Sequence, residues 1–333
     1  MLKKQYGQHL LKNIPGKLFK DFSNFFNVDF LTANASNVNN ANNVDVVFDL
    51  VIEIGPGRGA LTKQIVKLMN RNKEQFAGKV NMYFQRLLLL EIDSDMVSFL
   101  QNSFELADWI ELLEQDAVQF DYKKYIKNAV DDVFKDAGKG GVKDKQILLR
   151  VYFVGALPYN VSKPIILKTF SDSKELVQEN VDKNWQIGYT YIVQAEVADL
   201  FAKGVPDASL LYNVAKFCGF SVRKVCNLAP KWFIPPPRVS SACMVGRYLT
   251  DENREVVDSN VSGLTCAQFT DILGIFYRYQ RKTLRKILLI NKKAGLDQQV
   301  FEKVMRFLSD QNIEKLRPRE VEFEKWVLLS KLF

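Results

Sequence analysis

Apolar residues in this chain fall first into short, mostly apolar runs and later into helical spacing. The runs cover 46–54, 87–92, 110–114 and 148–154, each about the length of a strand. A run without polar alternation predicts a strand covered on both faces. Between the runs the spacing is helical over 59–68, through Leu100, and from 165–170 onward. Strands alternating with helices predict an α/β fold, a parallel Rossmann-like sheet with helices on both faces. Past residue 263 only the helical period remains, over 267–290, 298–309 and 321–332, which predicts a small all-helical C-terminal domain.

Three breaks punctuate this pattern. Residues 33–43, NASNVNNANNV, are Asn-rich and read as a surface insertion; 136–145, DAGKGGVKDK, read as a Gly/Lys loop. Residues 250–263, TDENREVVDSNVSG, are polar and read as a linker. The expected domains are therefore 1–249, then the linker 250–263, then 264–333. No internal repeat is visible.

Composition adds bounds. With 47% hydrophobic and 25% charged residues the chain has an ordinary globular make-up. Its 333 residues suffice for two domains. The 46 Lys+Arg against 38 Asp+Glu leave a formal charge of +8, compatible with a polyanionic partner or simply with a basic surface. Cys218, Cys226, Cys243 and Cys266 form no C-x-x-C pair and His9 is the only histidine, so no metal site is expected. The thiols fit a reducing compartment. No stretch is apolar enough to span a bilayer and no signal core opens the chain, so membrane insertion is not expected. The basic start Met1-Leu2-Lys3-Lys4 is too short for a transit peptide.

The candidate chemistry begins at Glu53-Ile54-Gly55-Pro56-Gly57-Arg58-Gly59-Ala60-Leu61-Thr62, a strand running into a Gly-rich turn and then a helix. Glycines there let backbone approach a ligand. Gly55, Gly57 and Ala60 also fit the dinucleotide fingerprint, so a nicotinamide oxidoreductase is an alternative. The next strand ends at Leu90-Glu91-Ile92-Asp93, where a carboxylate can accept from ribose hydroxyls; a solvated strand end is the plain alternative. Asp116 occupies the equivalent place after the third strand and could accept from an adenine amine. A Gly turn with acids after two successive strands suits S-adenosylmethionine, which has no pyrophosphate.

The fourth strand ends in Val154-Gly155-Ala156-Leu157-Pro158-Tyr159-Asn160, which resembles the N-L-P-Y motif of adenine N6-methyltransferases. The segment from Tyr6 to Asn13 resembles the G-Q-x-x-L opening of the ribosomal RNA adenine N6-dimethyltransferase family. The segment from Gln194 to Ala198 resembles Q-K-E-V-A, the segment from Phe233 to Ser241 resembles F-x-P-P-P-K-V-D-S, and that from Arg281 to Arg285 resembles R-K-T-L/I-R. Several motifs in order across most of the chain mark it as similar to that family, with its bacterial and mitochondrial transcription factor B1-like branches. The resemblance implies methyl transfer to adjacent adenines of small-subunit ribosomal RNA, on a pre-small-subunit particle; a monomer is the default expectation. It implies cofactor contacts at His9, Leu11, Gly55, Gly57, Glu91, Asp116 and Ala156. It also implies that the backbone carbonyl at 156–157 accepts from the target amine in the Ala156-Leu157-Pro158-Tyr159 turn. Tyr159 would stack on the adenine, with Phe233 on its other face; as isolated residues both could be core aromatics. His9 could equally be a surface residue.

The sequence departs from the pattern at Ala156, where the family has Asn, at Ala195 for Lys, and at Ser240 for Asp. Ala156 removes one of the two acceptors that polarise the amine, so the chain reads either as a methyltransferase or as a weakly catalytic ribosome-assembly factor. A transcription factor on the same fold is a third reading. In the helical domain Arg278, Arg281, Lys282 and Arg285 have i, i+3, i+4, i+7 spacing, which predicts one basic helix face for RNA phosphates or, in the plain alternative, a solvated face. The segments 161–168 and 316–319 resemble the mitochondrial branch; the Gln8-His9-Leu10-Leu11 opening is closer to the nucleolar one. The expected location is the mitochondrion, with nucleolus or cytoplasm as alternatives.

Overall fold

The structure is a computed structural model that describes residues 10–11, 16–26, 44–104, 106–139, 146–180, 183–249 and 263–333. His9, the Asn-rich 33–43 and nearly all of the expected linker lie outside the described residues. The chain divides into two compact units: Met1–Ala195 with Lys224–Arg247, and Glu196–Arg223 with Tyr248–Phe333.

The first unit is built on a sheet. Its strands are β1 (Leu10–Leu11), β2 (Val44–Ile54), β3 (Met82–Glu91), β4 (Ile110–Glu114), β5 (Gln146–Ala156), β6 (Asn184–Gln194), β7 (Arg223–Leu228), β8 (Phe233–Ile234) and β9 (Ser241–Arg247). The helices between them are α1 (Gly16–Phe25), α2 (Ala60–Phe76), α3 (Ser94–Ser103), α4 (Tyr122–Lys139) and α5 (Ser162–Glu179). The main sheet has the order β4-β3-β2-β5-β6-β9-β7, and β1 pairs with β8 in a separate two-stranded ladder. The strands β4, β3, β2, β5 and β6 are parallel, whereas β9 runs antiparallel to β6. The sheet is therefore mixed, and the expectation of a purely parallel one is corrected. Between β6 and β9 the chain runs through 195–240, two helices followed by β7 and β8, and the 230s segment joins β7 to β9. The expected Gly/Lys loop is partly helical too, because α4 continues to Lys139.

Three of the four apolar runs form inner strands of this sheet, β2, β3 and β5, whereas the fourth, 110–114, is the partly buried edge strand β4. Val46 through Ile54 are all buried on β2, which lies between β3 and β5. One polar pair interrupts this core. Asp49 of β2 faces Arg150 of β5 in register, and the guanidinium donates from Nε and Nη2 to the two carboxylate oxygens at 2.6 and 2.7 Å. The Tyr83 hydroxyl donates to Asp49 Oδ2 at 2.6 Å, and the rings of Phe26 and Phe76 lie 5.2 and 4.9 Å from the Arg150 guanidinium. Fork geometry and aromatic faces let an arginine sit where a lysine would leave unmet donors.

The second unit is helical: α6 (Ala195–Ala202), α7 (Leu210–Phe217), α8 (Cys266–Tyr277), α9 (Leu284–Lys293), α10 (Gln298–Asp310) and α11 (Phe323–Ser330), with Ala195 itself assigned to the first unit. The expectation placed 196–223 with the sheet domain, and packing places it here. Phe217 stacks on Phe269 at 4.1 Å, Asn213 Nδ2 donates to the Tyr277 hydroxyl at 2.9 Å, and the Ala208 N–H donates to the Arg319 carbonyl at 3.2 Å. The polar turn chemistry of 250–263 marked one boundary, but an apolar face on α7 that is completed by residues about 50 positions later carries no local mark.

Candidate active site

The crossing order of the sheet fixes where a ligand can bind. From β2 the chain moves outward to β3 and β4 and then returns to β5 on the other side of β2. Ligands of open α/β sheets sit at such a reversal, beyond the carboxyl ends of the strands. A cavity of about 180 Å³ lies there. It is lined by Leu10 and Leu11 of β1, by Ile54 to Arg58 after β2, and by Leu90 to Ile92 at the end of β3. Gln115 to Ala117 after β4, Ala156 to Val161 after β5, Ile192 of β6 and Phe233 of β8 complete the wall. The sequence candidates Leu11, Gly55, Gly57, Glu91, Asp116, Ala156, Leu157, Pro158, Tyr159 and Phe233 thus surround one space. His9 lies outside the described residues.

The Gly-rich turn is held from both sides. The Gly55 N–H donates to the Leu90 carbonyl at 2.9 Å, which ties the turn to β3. Gly57 has φ of 56°, and a Cβ on it would sit 2.7 Å from the Leu10 side chain. The left-handed backbone at that position favours glycine, and a Cβ there would also displace the tip of Leu10. Glu91, 4% exposed, binds backbone on both oxygens: Oε2 accepts from the Gly57 N–H at 3.0 Å, and Oε1 accepts from Ile92 and Asp93 N–H groups at 3.0 and 3.1 Å. Burial pushes its carboxyl up from the usual range, and the three backbone donors oppose that shift. Asp116 Oδ1 accepts from the Val118 N–H at 2.9 Å.

Under the turn lies a pair to which the motif assigns no role. Thr62 in the first turn of α2 donates through Oγ1 to Glu53 Oε2 at 2.7 Å, and both residues are fully buried. Among the described residues, Glu53 Oε1 has no hydrogen-bond partner. Desolvation pushes this carboxyl up to about 8, with Glu91 adding to the rise and Thr62 opposing it. The spacing of Glu53 and Thr62 on either side of the glycines was the available signal.

On the opposite wall the Leu157 N–H donates to the Ile192 carbonyl at 3.0 Å, which fixes the peptide that follows Ala156. The Tyr159 hydroxyl shares a hydrogen bond with Ser241 Oγ at 2.6 Å, and burial raises the phenol above its ordinary value. Phe233 is 2% exposed and packs in the same core as Leu11, as Ile192 and Cys243 do.

The residues fit an adenosyl ligand. The positive-φ glycines open a cradle into which a Cβ on Gly55 would project, and carboxylates end β3 and lie in the loop after β4, where hydroxyl and amine donors would need acceptors. The rest of the wall is mostly apolar, with Arg58, Gln115, Tyr159 and Asn160 as its other polar side chains.

The whole of this constellation falls inside residues 2–321, which match the family of ribosomal RNA adenine dimethylases. The chain belongs to the ribosomal RNA adenine dimethylase family. Among its relatives, the ribosomal RNA small subunit methyltransferase A of Coxiella burnetii (strain RSA 331 / Henzerling II) is 30% identical over 293 residues, which cover 85% of this chain and 86% of that protein. The protein of the same name from Mycoplasma mycoides subsp. mycoides SC is 23% identical and covers 99% of this chain and 97% of its own length. A dimethyladenosine transferase from Plasmodium falciparum shares the fold, with a TM-score of 0.55 at 19% identity over 96% of both chains. The 23S ribosomal RNA methyltransferase ErmE does so at 0.51 and 16%, over 92% of this chain and 97% of that one. Family membership sets aside the nicotinamide alternative for the Gly-rich turn.

The basic residues of the helical unit do not share one helix. The helix α8 stops at Tyr277, Arg278 caps it, Arg281 and Lys282 lie in a turn, and only Arg285 is helical, in the first turn of α9. The expectation of a single helix over 267–290 is corrected here. Backbone partners explain the break: Leu284 and Arg285 N–H groups donate to the carbonyls of Leu316 and Glu314, at 2.8 and 3.1 Å. These are orphan donors of a helix start, satisfied from another segment. Arg285 pairs with Glu314 at 3.5 Å. Arg281 instead joins Arg317 and Arg319 around a hollow of about 330 Å³, with Pro206, Asp207, Gln280 and Glu320.

Proposed function

We propose that this protein transfers methyl groups from S-adenosylmethionine to the N6 amines of adjacent adenines in small-subunit ribosomal RNA, on a pre-small-subunit particle. One observation carries the reading: the Gly-rich turn, the two strand-end carboxylates and the 156–159 turn with Phe233 line a single cavity. When bound, S-adenosylmethionine supplies an electrophilic methyl group. Gly55, Gly57, Glu91, Asp116, Leu11 and Ala156 hold the adenosyl part. Glu91 is already fixed by three backbone donors, so its orientation costs little on binding. The target adenine leaves its stack to reach the cavity. Tyr159 and Phe233 hold its faces, and the backbone carbonyl at 156–157 accepts from its amine. That bond localises the nitrogen lone pair towards the reacting carbon, and positioning does most of the remaining work.

Ala156 supports a second reading, a ribosome-assembly factor of weak activity, because a methyl group accepts no hydrogen bond. RNA contact is assigned to Arg278, Arg281, Lys282 and Arg285, and the grouping of Arg281 with Arg317 and Arg319 suits a phosphate. The likeness of 161–168 and 316–319 to the mitochondrial branch supports placement in the mitochondrion, which imaging of the tagged full-length protein tests.

Calorimetry with S-adenosylhomocysteine tests the cofactor assignment. Saturable binding that Glu91→Ala weakens is expected. No binding to the natural protein contradicts it.

A further inference from the structure

The loop that carries the prolines meets the cavity wall at both ends, directly at Phe233 and, at Ser241, through a hydrogen bond to Tyr159. At one end Phe233 lines the cavity; at the other, Ser241 begins β9 opposite Gln194 of β6 and holds the Tyr159 hydroxyl at 2.6 Å. Tyr159 itself lies in the turn after β5, so this bond joins two segments 82 residues apart. Ser241 is fully buried and sits in regular sheet pairing, so its hydroxyl is fixed in place. The Tyr159 ring is only half-buried and borders the cavity. An aromatic on an open wall can turn about two side-chain bonds, and a stacking surface is useful only when its face is held.

We infer that Ser241 is a positioning residue that anchors the Tyr159 phenol and so keeps its ring face set for a planar base. The loop from Phe233 to Ser241 then works as a frame: one end supplies one aromatic of the cavity wall, and the other fixes a second, Tyr159. This inference rests on the reading of the cavity as a target-base site, and it concerns Ser241, which touches neither base nor cofactor. Ser241 acts through Tyr159, so its loss weakens base capture and leaves cofactor binding alone.

The test uses the full-length protein and an RNA hairpin with two adjacent target adenines, one replaced by fluorescent 2-aminopurine. Stacking of that base changes its fluorescence, and S-adenosylhomocysteine affinity is measured beside it. Ser241→Ala is expected to weaken probe capture by about two- to tenfold, the range for one lost hydrogen bond. Ser241→Thr keeps a hydroxyl and is expected to restore most of the capture. Tyr159→Phe should match Ser241→Ala, and the double variant should be no worse than either, because both remove the same bond. All variants should bind S-adenosylhomocysteine as the natural protein does, which also shows that they fold. Additive losses in the double variant, or unchanged capture by Ser241→Ala, overturn the inference. Lost S-adenosylhomocysteine binding in Ser241→Ala and Ser241→Thr alike also overturns it, since the serine would then be holding the fold. If the natural protein binds S-adenosylhomocysteine yet gives no probe signal, the target-base reading fails and this inference falls with it.

Discussion

Ala156 and Glu53 each make a distinct prediction. At Ala156 the position that carries Asn in the resembling motif holds a methyl group. Ala156→Asn restores the acceptor, and the methyl-transfer rate is expected to rise by on the order of 10²–10³, the span for one preorganised polar group. Single-turnover assays read this directly; an unchanged rate would show that the carbonyl and aromatics already suffice. At Glu53 the carboxyl is pushed up to about 8 from an ordinary 4.5. A group whose folded value is raised stabilises the fold fully below its unfolded value and loses that contribution as pH rises through the folded one. Stability from this group therefore declines between about pH 4.5 and about 8. Glu53→Gln keeps an oxygen for Thr62 and removes the titration, so its thermal midpoint should exceed that of the natural protein at the top of the window and not at the bottom. Equal midpoints at both ends would show that Glu53 is not protonated in the fold.

At the scale of elements, the buried pair between β2 and β5 is the feature with the largest expected effect. Arg150→Met strands Asp49 in the sheet, where burial already raises its carboxyl. A loss of about 3–5 kcal/mol is expected in denaturant unfolding. Asp49→Leu with Arg150→Met should recover much of it, since two apolar residues leave no unpaired charge. The strands around this pair were legible in the sequence because a mostly apolar run of that length needs cover on both faces, which a central strand receives. The pair itself was not, because a single Asp and a single Arg on strands 101 residues apart give no local signal. The same holds for Tyr159 and Ser241. The helix break at 278–283 was hidden differently. The apolar spacing of Phe276, Leu284, Ile287 and Leu288 continues through it, and the partners that stop the helix come from Glu314 and Leu316.

At the scale of the whole molecule, the site was more legible than the division of the chain. The Gly-rich turn, the strand-end acids and the L-P-Y turn are short, ordered along the sequence, and each at the end of a recognisable strand; topology alone then gathers them. The helical unit instead draws Glu196–Arg223 from within the sheet domain's sequence, through packing that no motif announces. Its basic turn makes a binding prediction. Charge reversal at both Arg281 and Lys282 should weaken RNA binding and reduce the slope of log affinity against log salt by roughly 1 for each phosphate left unneutralised. Filter binding over a salt series measures both, and an unchanged slope would remove these residues from the interface.

The measurement that bears most directly on the central claim is methyl transfer from labelled S-adenosylmethionine to undermethylated small-subunit particles, followed by nucleoside analysis. The account predicts label in N6-methylated adenosine, with dimethyladenosine as the end product, and loss of label in Tyr159→Ala. S-adenosylhomocysteine binding without any labelled adenosine would contradict it and leave assembly as the function of this fold.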